Sequence, residues 1–418
     1  MKVVIQRITV KEAILYLSLL AYPALTLIVK GGVNTAFAVI ALISISMLAS
    51  SPIKIKQITA DRTTKIFALA MVSGTLAILL PQIYYQQFDA RPFDSELRFL
   101  LAIPVFMALR FSGNRALSVL EYAFPLGALA TFLFMQTQIP PGARIKTEFL
   151  DSIHVGGISM ILGFMSLYSV NWLRRDKNFL LILKLLGFVS GIYIAIRSGT
   201  RGVWLAMPIL FLLWYAMMKS RPFSIKIAAF MIVIASLVAY ASVDIVHKRV
   251  ALAISNLEAY SSGKVNNGTA ARLELWKVAF RLMAENPVVG IEPGSLDARL
   301  TALSKAGVIN DRVMKEGKAE MHSEIAARMA KYGVLGCLSA LAVFLIPAWL
   351  FYQSLASTNR QSAGAAQIGL CVAVGFFVFG LTVEVFNIKM VAAFYGLTIA
   401  IMMAATNISG SSTSEWRA

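Results

Sequence analysis

Apolar runs and short polar breaks alternate along most of this chain, with the spacing of helices that cross a bilayer. A hydrocarbon core about 30 Å thick needs about 20 apolar helical residues. Runs near that length lie at Ala13–Val29, Val33–Ser50, Ile66–Ile83, Phe99–Phe111, Leu117–Met135 and Val155–Trp172. Others follow at Phe179–Ile196, Val203–Met218, Ile227–Val243, Val334–Phe351, Ala365–Val383 and Met390–Thr406. The pattern predicts an all-α integral membrane protein of about 12 transmembrane helices. Phe99–Phe111, short and carrying Pro104, is the weakest span. One stretch breaks the rhythm, because from Val243 to about Ala330 the chain is polar. Long segments that stay out of the bilayer are where chemistry concentrates. The expected organisation is spans 1–9 over residues 1–243, a helical loop domain carrying the active site over 244–330, spans 10–12 over 331–408 and a polar tail over 409–418.

The basic residues orient these spans. Lys2/Arg7/Lys11, Lys54/Lys56/Arg62/Lys65, Arg110/Arg115, Arg174/Arg175/Lys177 and Lys219/Arg221/Lys226 all fall on one side of the bundle, in segments with few acids. Cytoplasmic loops collect lysine and arginine, so both termini and the tail are expected in the cytoplasm. The long polar segment, where acids and bases nearly balance, faces outward. No small-residue cleavage site follows the first basic cluster, so the first span is read as uncleaved.

Composition agrees with a membrane protein. The 418 residues are 58% hydrophobic and 14% charged, where soluble proteins carry about a quarter charged residues. The net charge of +18 lies in clusters between apolar runs, without the interleaved aromatics of a nucleic-acid surface, so no nucleic-acid partner is expected. Cys337 and Cys371 sit in apolar runs as small core residues. Three histidines and two cysteines far apart give no zinc spacing, and neither a metal nor another cofactor is expected. Asp94-Ser95-Glu96 has acidic alternation, but two carboxylates alone read as a solvated loop. Ionisable residues are nearly absent from the middles of the spans. Glu121 lies near a cytoplasmic end, and Glu384 and Lys389 flank an outer turn. That absence counts against a transporter.

Three outer stretches carry candidate chemistry. In IRSGTRGVWL, Arg197 and Arg201 stand at the interface on the side that ordinarily lacks positive charge. Arginines at helix ends commonly snorkel to lipid phosphates. Here Gly199 and Gly202 leave a backbone that something can approach closely, and Thr200 is placed to cap the next helix. In GTAARLELWKVAFRLMAENP, an amphipathic helix with Leu273, Trp276, Phe280 and Met283 on its apolar stripe is expected. Thr269 is its N-cap and Asn286-Pro287 its stop. Arg272 then lies in the first turn, where a cation is disfavoured unless an anion sits between guanidinium and helix terminus. In KAEMHSEIAARMAKYG, a helix with a Met321/Ile325/Met329 stripe carries His322 beside it, and Glu324 pairs with Arg328. A lone histidine is more often structural; this one lies near two arginine-bearing helix starts. His154 and His247, at span edges, read as interfacial. Arg144 and Lys146, in the outer loop PPGARIKTEFLDSIH, are candidates to extend the anion site.

SGTRGVWLA, RLELWKVAFRLMAENPVVGIEPG and MHSEIAARMAKYGVLG resemble, in order and spacing, the motifs of the bacterial O-antigen ligase and polymerase superfamily. The resemblance covers about Ile196 to Gly336. It implies a metal-independent, inverting glycosyltransferase of the membrane-embedded, GT-C-like type in the bacterial inner membrane, with a periplasmic active site. The implied donor is a polysaccharide on undecaprenyl diphosphate. In the ligase, the acceptor is a sugar hydroxyl of lipid A–core. Carried over, Arg201 and Arg272 bind the diphosphate, with Arg197, Arg144 and Lys146 as possible additions, and His322 stands near the acceptor as base or orienting group. The polymerase is the alternative within the superfamily, and a lipid-linked oligosaccharide transporter the alternative outside it.

Overall fold

The apolar runs fold as helices, and in several of them the first free amides are met by polar side chains just before them. The computed structural model describes residues 9–111, 114–140, 143–217, 255 and 268–407, without the side chains of residues 52, 54, 58, 114, 115, 117 and 201. In chain order the helices are α1 (Val10–Ile28), α2 (Gly32–Ala49), α3 (Pro52–Ala60), α4 (Arg62–Tyr84), α5 (Phe93–Leu109), α6 (Asn114–Gln138), α7 (Ser152–Tyr168), α8 (Asn178–Arg197) and α9 (Arg201–Met217). Further along are α10 (Gly268–Glu285), α11 (Leu296–Lys305), α12 (Asp311–Ala319), α13 (Glu324–Ser354), α14 (Arg360–Gly380) and α15 (Lys389–Thr406). Thr9 and Glu12 form a capping box on α1. Asp61, Asp151, Ser323 and Asn359 cap α4, α7, α13 and α14. No strand occurs among the described residues.

Among the described residues, eight helices (α1, α2, α4, α6, α8, α13, α14 and α15) are long and apolar enough to cross a membrane. The shorter α7 and α9 are also apolar, and α5 covers most of the weak fourth run. The ninth expected span, Ile227–Val243, lies outside the described residues, as do His247 and the tail. One element departs from expectation. The stretch with Lys54 and Lys56, read as a loop, forms the short helix α3.

Burial orders the bundle from the inside out. Every residue of α15 from Met390 to Ala405 is buried, as is every residue of α7 from His154 to Tyr168. A helix closed off on all faces lies within protein rather than against lipid. α15 packs on α5, α14 and α2, and α7 on α8, α6, α14 and α9. The outer helices present Leu17, Leu42, Leu69, Ile83, Leu186 and Leu205 to the surroundings, as lipid-facing helices do.

A second, smaller core joins α10, α11, α12 and the first turns of α13 through Leu275, Leu282, Leu300, Val313, Met321 and Met329. α13 is broken at Tyr332 and Gly333, where Gly333 takes φ 62°. A Cβ there would lie 2.5 Å from the Pro287 carbonyl oxygen, and the next amide, Val334, donates to that oxygen at 2.7 Å. Only glycine turns the chain this closely. The loop after α10 is thereby fastened to the kink.

The small layer sits on one end of the bundle. The Tyr85 hydroxyl at the end of α4 donates to the Gly290 carbonyl at 2.7 Å. Ser323 donates to the Gly380 carbonyl at the end of α14 at 3.1 Å, and Arg328 meets Glu96 of α5 at 2.6 Å. The loops that the charge count puts on one side thus gather at one end.

At the start of α6 and α8, toward the opposite end, Lys184 is fully buried. Its Nζ lies 3.1 Å from Glu121, 2.9 Å from Asp176 and 2.7 Å from the Ser169 carbonyl oxygen. This residue qualifies the expectation that the spans are almost free of charge, and it gives Glu121 a partner. Removing one member of a buried ion pair costs about 3–5 kcal/mol, because the remaining charge is stranded. Lys184→Met is expected to lower the thermal unfolding midpoint of the detergent-purified protein sharply. Adding Glu121→Gln and Asp176→Asn should recover much of the loss. An unchanged midpoint in the single variant would contradict the assignment.

Candidate active site

His322 stands in the break between α12 and α13, not on a helix as the periodicity suggested. The expected helix over KAEMHSEIAARMAKYG is two pieces, because Glu320 to Ser323 are extended or turned and α13 begins only at Glu324. His322 takes φ 54°, a left-handed conformation adopted by a few per cent of non-glycine residues. Its neighbours fix it there. The Met321 amide donates to the Glu384 carboxylate, the Glu384 amide donates to the Glu320 carboxylate at 2.7 Å, and Ser323 caps α13 through the Ala326 amide. The Met321/Ile325/Met329 stripe is buried as expected, and Glu324 pairs with Arg328 at 2.6 Å.

The imidazole is partly buried. Nε2 lies 3.8 Å from Glu316 and Nδ1 3.6 Å from Glu320, and Nδ1 has no hydrogen-bond partner among the described residues. Burial first, and then the positive charge of Arg272, pull its pKa below the ordinary histidine value, with Glu316 opposing. Desolvation and a nearby cation both disfavour the imidazolium. Both effects favour the neutral ring, the form able to accept a proton. Arg272 and His322, fifty residues apart in sequence, act on one another in space.

Arg272 itself departs from expectation in two respects. α10 already includes Gly268, so Thr269 lies inside the helix rather than capping it and Arg272 lies beyond its first turn. The anion-binding argument then rests on the guanidinium more than on the helix terminus. The buried face is Ala271, Leu275, Val278, Ala279 and Leu282, while Leu273 and Phe280 of the expected stripe are exposed. The helix does stop before Asn286-Pro287.

The start of α9 is built by contacts between loops. Gly199 has φ 63°, and the Arg144 guanidinium beside it donates to the Ser198 carbonyl at 3.0 Å. Arg197 donates to the Tyr193 hydroxyl at 2.9 Å and to the Ala143 carbonyl at 3.2 Å. Both side chains thus clamp the 143–146 loop onto the end of α8, and Lys146 is exposed. The Thr200 hydroxyl contacts the Ser152 and Ser198 carbonyls, tying α9 to the start of α7. Arg201 is the first residue of α9, and its side chain lies outside the description. A Cβ on Gly202 would meet Thr382 at 2.2 Å, so α9 abuts the loop whose Glu384 holds Met321 and Glu320.

Two further readings change. Glu96 does not stand in a solvated loop, since it is buried in the first turn of α5 and bonded to Arg328, while Asp94 stays exposed. His154 is buried rather than interfacial. Its Nδ1 lies 2.9 Å from Asp151. Burial opposes ionisation of Asp151, but the His154 ring and two backbone amides outweigh it and hold its pKa at about 2. Glu316, Glu320 and Lys331 were missed by the motif reading. The one signal for Glu320 was its position two residues before the histidine. Its pKa is raised, first by burial and then by Glu384, against the Glu384 amide.

With a lowered folded pKa, His322 binds fewer protons in the native than in the unfolded protein. Stability therefore falls as pH drops below about 6.5 and toward the folded value. In protein with labelled histidines, His322 is expected to titrate below about 6.5. Arg272→Met should raise that midpoint, because one of its two depressing causes is gone. A midpoint that does not move would separate the two residues.

The family model described as O-antigen ligase matches residues 186–341, a segment that contains Arg197, Arg201, Arg272 and His322. The match supports membership of the O-antigen ligase superfamily, in line with the resemblance of the motifs. An uncharacterized protein of Haemophilus influenzae is 22% identical to the chain over 355 residues, covering 82% of this chain and 86% of that protein.

Proposed function

We propose that this protein is an O-antigen ligase, moving a polysaccharide from undecaprenyl diphosphate to a sugar hydroxyl of lipid A–core. The observation that carries the reading is the coupling of His322 to Arg272 inside the segment matched by the family model. In this reading the chain crosses the inner membrane about twelve times, with both termini cytoplasmic and the site periplasmic.

Arg272 and Arg201 hold the diphosphate, and Arg197, Arg144 and Lys146 line its approach. The hydroxyl oxygen of the acceptor bonds to the anomeric carbon from the face opposite the leaving group, inverting it. The bond from that carbon to the diphosphate oxygen breaks, and its electron pair leaves with the diphosphate. Two guanidinium forks stabilise the charge that develops there, without need of a metal. A diphosphate leaving group requires no general acid. The hydroxyl proton passes to neutral His322.

The test is transfer in vitro with purified protein, lipid-diphosphate-linked polysaccharide and lipid A–core, followed on a gel. Polysaccharide on lipid A–core establishes the ligase. Longer chains still on undecaprenyl diphosphate establish the polymerase instead, and no transfer with binding intact points to a transporter. Arg272→Ala and Arg201→Ala are each expected to lower turnover about 10²-fold or more while the protein still inserts. His322→Gln, which orients but accepts no proton, should cost about 10²–10⁴-fold if base catalysis is its role. Full activity in either arginine variant would end the anion-site reading. Transfer should persist in EDTA. Loss that a divalent ion restores would overturn metal independence.

A further inference from the structure

A cavity of about 810 Å³ opens beside the site, between the loop after α4, the start of α5, the loop before α11, the end of α12 and the loop before α15. Neither Arg272 nor His322 is among the residues that line it. Its volume is that of a ligand pocket, where about 300–1,000 Å³ is usual. Its charge is the reverse of the chain's. Eight carboxylates and five cationic side chains line it, in a protein of net charge +18.

Much of that charge is already committed. Arg328 is held by Glu96 and Glu324, and Lys331 by Glu384. The surplus is acidic and includes Glu292 and Asp297 on the outer wall and Glu320 on the inner one. Such a wall repels a diphosphate. It suits a ligand that brings many hydrogen-bond donors and no negative charge, because hydroxyl groups donate to carboxylates in short, charge-assisted bonds. Apolar surface from Ile291, Pro293 and Phe386 supplies the flat contacts that sugar rings need.

Glu320 joins the two places. It lines the cavity and stands 3.6 Å from His322 Nδ1. The segment from Glu320 to His322 is thus a shared wall, with the cationic Arg272 acting on the ring and an acidic, sugar-sized space behind Glu320. We infer that this cavity seats the hydroxyl-rich sugars of the acceptor, and that the diphosphate donor is kept to the arginine side. The assignment to the acceptor rests on the glycosyl-transfer reading above; the binding of a neutral oligosaccharide does not.

Two measurements test it. In the transfer assay, Leu296→Trp, which fills the cavity, and Asp297→Asn, which removes an outer carboxylate, should each raise the acceptor KM about tenfold. The donor KM and the kcat at saturating acceptor should stay within about twofold, the signature of lost uniform binding. A rise in the donor KM, or no change in either, overturns the assignment. Hydrogen exchange on the unmodified protein reads binding without turnover. Core oligosaccharide freed of its lipid should slow exchange over residues 89–96 and 292–297, whereas inorganic pyrophosphate should slow it around Arg272. Protection by the oligosaccharide in a protein that transfers nothing would keep the cavity and remove the ligase reading. Transfer without that protection would remove the cavity.

Discussion

Arg328 holds the small helical layer on the bundle. Its guanidinium lies 2.6 Å from Glu96 of α5 and 2.6 Å from Glu324 of its own helix. Glu324 in turn accepts the Phe386 amide from the loop before α15 at 3.0 Å. Three segments remote in sequence are thereby fixed at one buried point. Gly74 of α4 makes the point possible, because any Cβ there would lie 2.0 Å from the Glu96 carboxylate. A buried ion pair contributes little net stability against an apolar replacement, yet losing one partner costs about 3–5 kcal/mol. Its effect is therefore on register. The triad sets how α13 enters the bundle, and the residues just before α13 are the ones that carry His322.

That dependence explains how a histidine on a loop can be held in place. Ser323 and Glu324 are anchored to α14 and to the loop before α15, Met321 to Glu384, and Glu320 to the Glu384 amide. Two residues on each side of His322 are tied to the bundle, and His322 lies between them in a left-handed conformation. Functional side chains are positioned best when the shell around them is rigid. The same ties bring Glu320 against the ring.

The helices were legible because length and hydropathy are local properties of the chain: each expected run inside the described residues overlaps a helix, and eight of these helices are long and apolar enough to cross a membrane. The Glu324–Arg328 pair was legible because helical spacing places i and i+4 together. Glu96 was not, since its partner lies 232 residues away and nothing in Asp94-Ser95-Glu96 marks which carboxylate turns inward. The buried face of α10 was misjudged because its sequence is apolar on two sides. Leu273/Trp276/Phe280 and Leu275/Val278/Leu282 are both periodic, and only packing against α12 and α13 chooses between them. Lys184 sits in an otherwise apolar run, where a composition window dilutes a single charge. The partnership of Arg272 with His322 was expected from motif order alone; the fold supplies its electrostatic sense.

Charge sorts the space around the Glu320–His322 segment. On one face, Arg272 depresses the histidine pKa and, in the function proposed here, meets the donor's diphosphate. On the other, a cavity with an acidic surplus disfavours anions and favours hydroxyl donors. A reaction between a diphosphate-linked sugar and a hydroxyl needs both environments within a few ångströms, because the nucleophile must reach the anomeric carbon while the leaving charge moves away from it. Mixing the two would weaken each. Carboxylates beside the diphosphate would raise the cost of its developing charge, and arginines among the acceptor hydroxyls would invite the donor's phosphates into the wrong place. A single neutral imidazole between them suits both neighbours. It adds no charge to either face until it takes a proton, and the cation it then becomes lies within reach of Glu316 and Glu320.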